Sequence, residues 1–393
     1  MNEPVRKRAV FFIGGYDPKT PVMFFGRLRK ELSRFDMLWG YETLVSRLLD
    51  EASEIGTVTI VTHATREDWS TTTDFSFLSL DALVLADFAR PLPIRFVHYI
   101  WTFLDFVVSG VALRIFARAW RFGLYFLYPF LMLVLFSVAG YVANRLTSQS
   151  LGPASWIIGI SVFALALRIL GKRWSVNHLM DLWSFSLDFI HGRRPDADAL
   201  LQRFAEEIVA RVHAQPYDEV ILIGHSTGGM LIIDVAARCL SIDRAFASSA
   251  PKVVLLTLGS TALKAGYHPA AKDFRKAVED LAGNGSLGWA EIQCLTDAIN
   301  FYKTNPVAEM GLESKAGRAF PIVRTVKMRD MLQPDTYARI KRNFFRVHYQ
   351  YVFANTKPYW YDFFQICCGP IYLNTRIKDL IVGGRPTSKG GLE

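Results

Sequence analysis

The chain has few cysteines, and they do not form a metal-ligand pattern. Its 393 residues contain four cysteines, with no CxxC motif and no Cys/His ligand spacing. Neighbouring cysteines such as Cys367 and Cys368 rarely bridge each other, so we expect reduced thiols, a reducing compartment and no metal site. The first apolar run is only about five residues long, which is too short for the core of a signal peptide. We therefore expect no export signal.

The chain is also poor in charge, and the charges it has are mostly basic. Charged residues make up 21% and hydrophobic residues 51%, and the mean hydropathy is +0.19. A net charge of +9 suits either nucleic acid or an anionic membrane surface. No nucleic-acid recognition motif accompanies the basic residues, so we expect a membrane partner and no nucleic acid. Several basic residues flank the apolar runs: Arg114, Arg118, Arg121, Arg168, Lys172 and Arg173.

Two long stretches lack charge altogether. Residues 122–144 contain no charged side chain, and neither do residues 146–167. A helix of about 20 apolar residues crosses the roughly 30 Å hydrocarbon core of a bilayer. We predict that residues 90–190 form a membrane insertion, with an interfacial helix and two transmembrane helices at about 122–144 and 150–170. A buried helical pair that caps a soluble enzyme is the alternative.

The orientation of this hairpin follows from its basic flanks. Basic residues precede the first span and follow the second, while the polar connection at 144–153 holds only Arg145. The positive-inside rule then predicts that both ends of the hairpin, and the regions of the chain attached to them, face the cytoplasm.

The regions on either side, residues 1–89 and 191–393, alternate between strand and helix patterns. This rhythm predicts an α/β fold, with a mostly parallel sheet covered by helices on both faces. The predicted segments are strands at 9–13, 57–62, 219–223 and 253–258, and helices that include 44–49 and 228–240.

The strongest chemical signal is a serine between a strand and a helix. Ser226 lies in Gly224-His225-Ser226-Thr227-Gly228, directly after the apolar run EVILI and before MLIIDVAAR. This is the pattern of a nucleophile elbow, in which a sharp turn exposes the serine at the edge of the sheet. The flanking glycines permit close backbone approach, and the start of the helix favours negative charge. An ordinary strand-to-helix turn with a capping serine is the alternative.

A serine nucleophile needs a histidine base, and only two candidates follow it. The chain order at such an elbow is serine, acid, histidine, and His268 and His348 are the histidines after Ser226. His268 comes too soon after the next strand, with no later strand between to supply an acid. We therefore predict His348 as the base, with a histidine packed in an aromatic-rich helix as the alternative.

The acid should project from the loop after a late strand. Residues 289–295 read as such a strand, and Asp297 follows it by two residues. We predict Asp297 as the acid, while Asp330 and Asp335 also precede His348 and stay open. For the oxyanion hole we predict the amide of Thr227, joined by one from the Gly14-Gly15-Tyr16 turn after the first strand.

With these segments the chain resembles the α/β-hydrolase superfamily. It looks most like bacterial membrane-associated members that open with a strand and Gly-Gly-Tyr/Phe-Asp and close with His-x-Gln-Tyr, here His348-Tyr349-Gln350-Tyr351. The resemblance covers both α/β regions but not the hydrophobic hairpin, which looks like an insertion in the position of a cap.

This resemblance implies a serine hydrolase that works through an acyl-enzyme. The residues that match are Ser226 as nucleophile, Asp297 as acid, His348 as base, and Gly15, Tyr16 and Thr227 as oxyanion donors. The first turn lacks the His-Gly pair common in lipases, which leaves open which amide donates.

We expect a membrane-anchored esterase, lipase or thioesterase that cleaves acyl esters of lipid-like character and needs no cofactor. An inactive membrane scaffold that keeps the fold and an acyltransferase with the same acyl-enzyme are the alternatives. The sequence leaves the oligomeric state and the acyl length open.

Overall fold

The computed structural model of the chain describes residues 3–48, 53–64, 68–312 and 320–383. These residues divide into two compact units. The first belongs to Met1–Leu85 and Arg194–Glu393, and the second is Ala86–Arg193.

The first unit is built on one mixed, mostly parallel sheet. Within the described residues this sheet has eight strands in the order β2-β3-β4-β1-β5-β6-β7-β8. Only β3 runs antiparallel to its neighbours, and all other pairs are parallel. The strands are β1 (Lys7–Ile13), β2 (Tyr41–Val45), β3 (Ile55–Ala64), β4 (Ser70–Leu78), β5 (Glu219–His225), β6 (Lys252–Leu258), β7 (Gly288–Gln293) and β8 (Ile322–Thr325).

Helices precede, connect and follow these strands. In chain order they are α1 (Pro21–Trp39), α2 (Asp81–Ala89), α3 (Leu92–Val108), α4 (Val111–Leu151), α5 (Ser155–Arg173), α6 (Val176–Ile190), α7 (Pro195–Ala214), α8 (Thr227–Ile242), α9 (Leu263–Gly266), α10 (Lys272–Gly283), α11 (Pro306–Glu309), α12 (Met328–Met331), α13 (Pro334–Ile340), α14 (Phe344–Tyr349), α15 (Phe363–Cys368) and α16 (Leu373–Asp379).

The predicted α/β class is confirmed. The strands predicted at 9–13, 57–62, 219–223 and 253–258 fall within β1, β3, β5 and β6, and the one predicted at 289–295 overlaps β7, which ends at Gln293. The central strands β1 and β5 are buried along nearly their whole length. A strand covered on both faces reads as a continuous apolar run, which is why these segments could be predicted.

The helix predicted around residues 44–49 is wrong. Tyr41–Val45 is strand β2, which pairs antiparallel with β3, and its side chains are alternately half-buried and exposed. The helix lies earlier, in α1, and ends at Gly40, whose left-handed φ of 68° allows the chain to turn into β2. Leu49 lies outside the described residues.

A buried ion pair ties the last part of the described chain to the amino-terminal edge of the sheet. Arg8 Nε on β1 donates to Glu219 Oε2 on β5 at 2.7 Å, and neither side chain is exposed. The Arg8 guanidinium also donates to the carbonyl oxygens of Cys367, Gly369 and Ile371. Burial of this kind requires that every charge keep its partner.

The second unit contains the apolar insertion. One helical stretch, Val111–Arg173, is long and apolar enough to cross a membrane. It comprises α4 and α5, joined by a short 3₁₀ turn at Gly152–Ala154. The predicted polar connection at 144–153 is wrong for most of its length, because α4 continues through Leu151.

The two helices of this stretch pack closely through glycine. A Cβ on Gly140 would lie 2.6 Å from the carbonyl oxygen of Gly159, and the reverse distance is 2.7 Å. Ser155 Oγ donates to Asn144 Oδ1 at 2.6 Å near the turn. Small residues at a helix contact permit such approach, as they do between helices in membranes.

Helices α3 and α6 of the same unit meet along polar side chains. Tyr99 donates to Asp181 at 2.8 Å, and Arg95 pairs with the same carboxylate. His98 lies 3.2 Å from Asp188. The segment before the first predicted span, where we predict one interfacial helix, is divided at Ser109–Gly110, where α3 ends and α4 begins.

Candidate active site

Ser226 occupies a strained turn between the buried strand β5 and helix α8. Its φ of 61° and ψ of −123° lie in a region that residues with side chains rarely adopt. The turn is fixed by its neighbours, since Ser226 N–H donates to the Leu258 carbonyl at 3.0 Å and Thr261 N–H donates to the Ser226 carbonyl at 3.2 Å. Conformational strain held in place this way is common at functional sites.

The glycines of the elbow are required by backbone contact. A Cβ on Gly228 would lie 2.2 Å from the Gly14 carbonyl oxygen and 2.3 Å from that of Ile13. A Cβ on Gly224 would lie 2.3 Å from the Gly228 carbonyl oxygen. Helix α8 thus starts directly against the end of β1, and its first turn brings Ser226 to the carboxyl edge of the sheet.

Asp297 and His348 come together at this site. His348 Nδ1 lies 2.8 Å from Asp297 Oδ2, and the two side chains are 4% and 0% exposed. The other carboxylate oxygen, Oδ1, accepts from the Ile299 amide at 2.8 Å. Both oxygens of Asp297 are therefore engaged, and His348 is held with Nδ1 as donor and Nε2 as the nitrogen available for chemistry.

The base and the nucleophile are not hydrogen-bonded to each other. His348 Nε2 is buried and has no hydrogen-bond partner among the described residues. Ser226 is itself nearly buried, with 7% of its surface exposed. An acid–base pair with an unpartnered Nε2 is ready to accept a proton, and such contacts commonly tighten only when substrate is present.

His225 supports the backbone of the base. Its Nε2 donates to the His348 carbonyl oxygen at 2.9 Å, and the two ring centres are 4.5 Å apart. Burial, followed by the charge of His348, moves the pKa of His225 well below its ordinary value. His225 is therefore a neutral donor that positions the segment carrying His348.

The three predicted oxyanion donors lie in different surroundings. Gly15 lies against the nucleophile, because a Cβ on it would be 3.4 Å from Ser226 Cβ and 3.7 Å from Oγ. Tyr16 follows Gly15 and is buried. Thr227 is the first residue of α8, and its Oγ1 accepts from Lys264 Nζ at 3.2 Å.

The other acid and base candidates from the sequence make different contacts. Asp330 lies 3.5 Å from Arg329 with a side chain that is 40% exposed, and Asp335 is exposed in the first turn of α13. His268 Nδ1 accepts from the Ala270 amide in its own turn. Among the described carboxylates, Asp297 is the one hydrogen-bonded to the ring of His348.

Three residues near the site, Gly259, Lys264 and Glu291, were not identified from the sequence. Gly259, directly after β6, has a φ of 49°, and a Cβ there would lie 3.2 Å from Asp297 Oδ2 and 2.6 Å from the ring of Tyr351. Burial lowers the pKa of Lys264 to about 7 and raises that of Glu291 to about 8. The one signal in the sequence was the position of Gly259 directly after a strand. The sequence does not show that the side chains of Lys264 and Glu291 are buried.

Comparison with protein-family models, curated proteins and solved structures finds no match to this chain. The proposed function therefore rests on the geometry of the site.

Proposed function

We propose that this chain is a serine hydrolase of the α/β-hydrolase type, anchored in a membrane. The observation that carries the proposal is the strained Ser226 between β5 and α8, next to Gly15. The hydrogen-bonded pair of Asp297 and His348 supplies the acid and base that such a nucleophile needs. Chain order also fits, since serine, acid and histidine follow one another as in that fold.

The chemistry begins with proton transfer to the free nitrogen of His348. Nε2 takes the hydroxyl proton of Ser226 as Oγ attacks the ester carbonyl, and Asp297 stabilises the imidazolium through Nδ1–H. The amide of Thr227, with one from the Gly15–Tyr16 turn, donates to the resulting oxyanion. Collapse breaks the ester bond, and His348 returns the proton to the leaving alcohol or thiol. Water then attacks the acyl-enzyme by the same steps and releases the acid.

The substrate is an acyl ester or thioester of lipid-like character. The support is the apolar stretch Val111–Arg173, which is long enough to cross a membrane and exposes many large hydrophobic side chains. We propose that α4 and α5 each span the bilayer, at about 122–144 and 150–170, and that the catalytic domain faces the cytoplasm. The basic residues at both ends of this hairpin support that orientation.

Cysteine labelling tests the topology. The four native cysteines are buried, so Ser150→Cys and Ser33→Cys, both at exposed positions, can be compared in intact cells. We expect a membrane-impermeant maleimide to label position 150 and to label position 33 only after the cells are opened. Equal labelling of both positions in intact cells would overturn the two-span arrangement.

Hydrolysis by the vesicle-reconstituted full chain tests the activity. We expect wild type to release acid from carboxylic esters or thioesters, to prefer long acyl chains over short ones, and to lose this activity in Ser226→Ala. Added alcohols that trap most of the acyl group would indicate an acyltransferase instead. A folded wild type that cleaves no ester would leave a membrane scaffold as the function.

A further inference from the structure

A narrow cleft at the carboxyl edge of the sheet begins beside the nucleophile and leads to basic residues. Gly15 and His225, which both contact the candidate catalytic residues, line it together with Lys19, Arg27 and Tyr349. Arg27 projects from α1, the helix that follows the turn after β1. The cleft, about 20 Å³ in volume, therefore borders both Gly15, which lies against Ser226, and the guanidinium of Arg27.

The two cations of this cleft differ in their partners. Lys19 Nζ lies 2.5 Å from Asp17, which also accepts from the Tyr349 hydroxyl at 2.9 Å, so Lys19 is already neutralised. Arg27 forms no hydrogen bond or ion pair with the part of the chain that the structure describes. Its guanidinium instead lies over aromatic rings, 5.1 Å from the centre of Phe353.

A second guanidinium lies near Arg27, and the nearby acidic groups Asp17 and Glu31 act on Arg27 only through space, without a hydrogen bond to it. The guanidinium of Arg346 lies 3.9 Å over the same Phe353 ring, and its Nη1 is buried with no partner among the described residues. Glu31 lies one turn further along the same helix, α1, and its two oxygens accept from Arg34 at 2.6 Å and from a backbone amide at 3.0 Å. Burial lowers the pKa of both Arg27 and Arg346.

We propose that Arg27 recognises an oxyanion, a carboxylate or a phosphate, carried by the ester that Ser226 cleaves. A partly buried guanidinium that makes no hydrogen bond to an acidic group is unfavourable by itself, and an oxyanion would supply both the opposite charge and the hydrogen bonds. The planar fork of arginine fits two oxygens at once. This inference rests on the proposed function and narrows its substrate to an acyl ester with an anionic group beyond the scissile bond.

A matched pair of esters tests the recognition. We would compare kcat/KM for 4-nitrophenyl hexanoate with that for 4-nitrophenyl hydrogen adipate, which places a carboxylate at the end of a chain of the same length. In Arg27→Gln we expect the value for the anionic ester to fall about tenfold or more relative to the neutral one, because a charge-assisted hydrogen bond is lost. Arg27→Lys should recover part of that loss.

Lys30→Gln is the control, because it removes the same charge from an exposed position on the same helix. We expect it to leave the ratio of the two esters unchanged. An unchanged ratio in Arg27→Gln, or an equal fall in Lys30→Gln, would overturn the proposal. Fluorophosphonate labelling of Ser226 in each variant distinguishes failure of the oxyanion site from failure of the proposed hydrolase. A labelled Arg27→Gln with an unchanged ratio refutes the oxyanion site alone, whereas an unlabelled wild type refutes the proposed function and this inference with it.

Inorganic phosphate distinguishes the source of the oxyanion. If phosphate inhibits hydrolysis of the neutral ester by wild type but not by Arg27→Gln, Arg27 binds free anions as well. If phosphate has no effect while the anionic ester still loses its advantage in Arg27→Gln, recognition requires the oxyanion to be part of the substrate. Both results support the site, and the second shows that the oxyanion must be covalently part of the ester.

Discussion

Replacement of Asp297 by asparagine probes the candidate triad through a single atom. Asp297 Oδ1 accepts from the Ile299 amide and Oδ2 accepts from His348 Nδ1, each at 2.8 Å. In Asp297→Asn, the Ile299 N–H still requires an oxygen, so the new NH₂ group must face His348. Nδ1 then becomes the acceptor, and the proton moves to Nε2.

The wrong tautomer disables the base, because a protonated Nε2 cannot accept the proton of Ser226. We expect kcat to fall by about 10⁴, the loss that a buried Asp-to-Asn change causes in a serine protease triad. The fold should survive, since the side chain keeps its size and its bond to Ile299. The free energy of unfolding should drop by only about 1–3 kcal/mol, the worth of one hydrogen bond to a charged group.

The assay is hydrolysis of a soluble 4-nitrophenyl ester, with thermal unfolding measured on the same sample. Asp330→Asn serves as the control, because that side chain is 40% exposed and pairs only with Arg329 among the contacts described above. We expect Asp330→Asn to retain wild-type activity. An Asp297→Asn variant that keeps more than about a tenth of the wild-type kcat would refute this role for Asp297.

Three further predictions concern stability. Gly228→Ala should lower the free energy of unfolding by about 3 kcal/mol or more, because the added Cβ meets backbone oxygens. Gly283→Ala is the control, because the space around Gly283 is open, and it should be neutral or stabilising in thermal unfolding. Arg8→Met should lower it by about 3–5 kcal/mol by leaving Glu219 buried without its partner, and added Glu219→Gln should recover part of that loss in denaturant titrations. The pKa of Glu291 is raised to about 8 from an ordinary 4.5, so between these pH values the folded state binds more protons than the unfolded state. The free energy of unfolding of wild type should therefore fall by up to about 1.4 kcal/mol per unit as the pH rises through this range. A Glu291→Gln variant with the same slope would contradict this.

The centre of the fold could be predicted because its strands are buried on both faces. The segments at 9–13, 219–223 and 253–258 are continuous apolar runs, and they lie in β1, β5 and β6. A strand rich in polar side chains carries a weaker signal even inside the sheet, as β4 does between β3 and β1. Ser70–Leu78 is β4, and its run of serine and threonine gave no apolar pattern from which to predict it.

Errors arose where tertiary pairing decides the structure. Leu44 and Val45 have helical spacing with later leucines, but pairing with β3 makes this segment a strand. The polar residues at 144–151 suggested a loop, yet they continue α4 as its last two turns. A local pattern does not reveal a partner strand or the length to which a helix continues.

The candidate triad was predicted from chain order, and the surrounding shell was not. The sequence singled out Asp297 by its position after a late strand and His348 by elimination among the histidines after Ser226, and in the structure His348 Nδ1 lies 2.8 Å from Asp297 Oδ2. Arg27 is one of many basic residues in the chain. Only the three-dimensional structure shows that its guanidinium makes no hydrogen bond to a described carboxylate and that it lines the same cleft as Gly15.

Covalent labelling tests the central claim, an activated serine at position 226, most directly. Detergent-solubilised wild type and Ser226→Ala would be treated with a fluorophosphonate probe under identical conditions. The account predicts labelling of wild type alone. Equal labelling of both proteins would mean that another residue is the nucleophile, and absence of labelling in folded wild type would contradict the hydrolase itself.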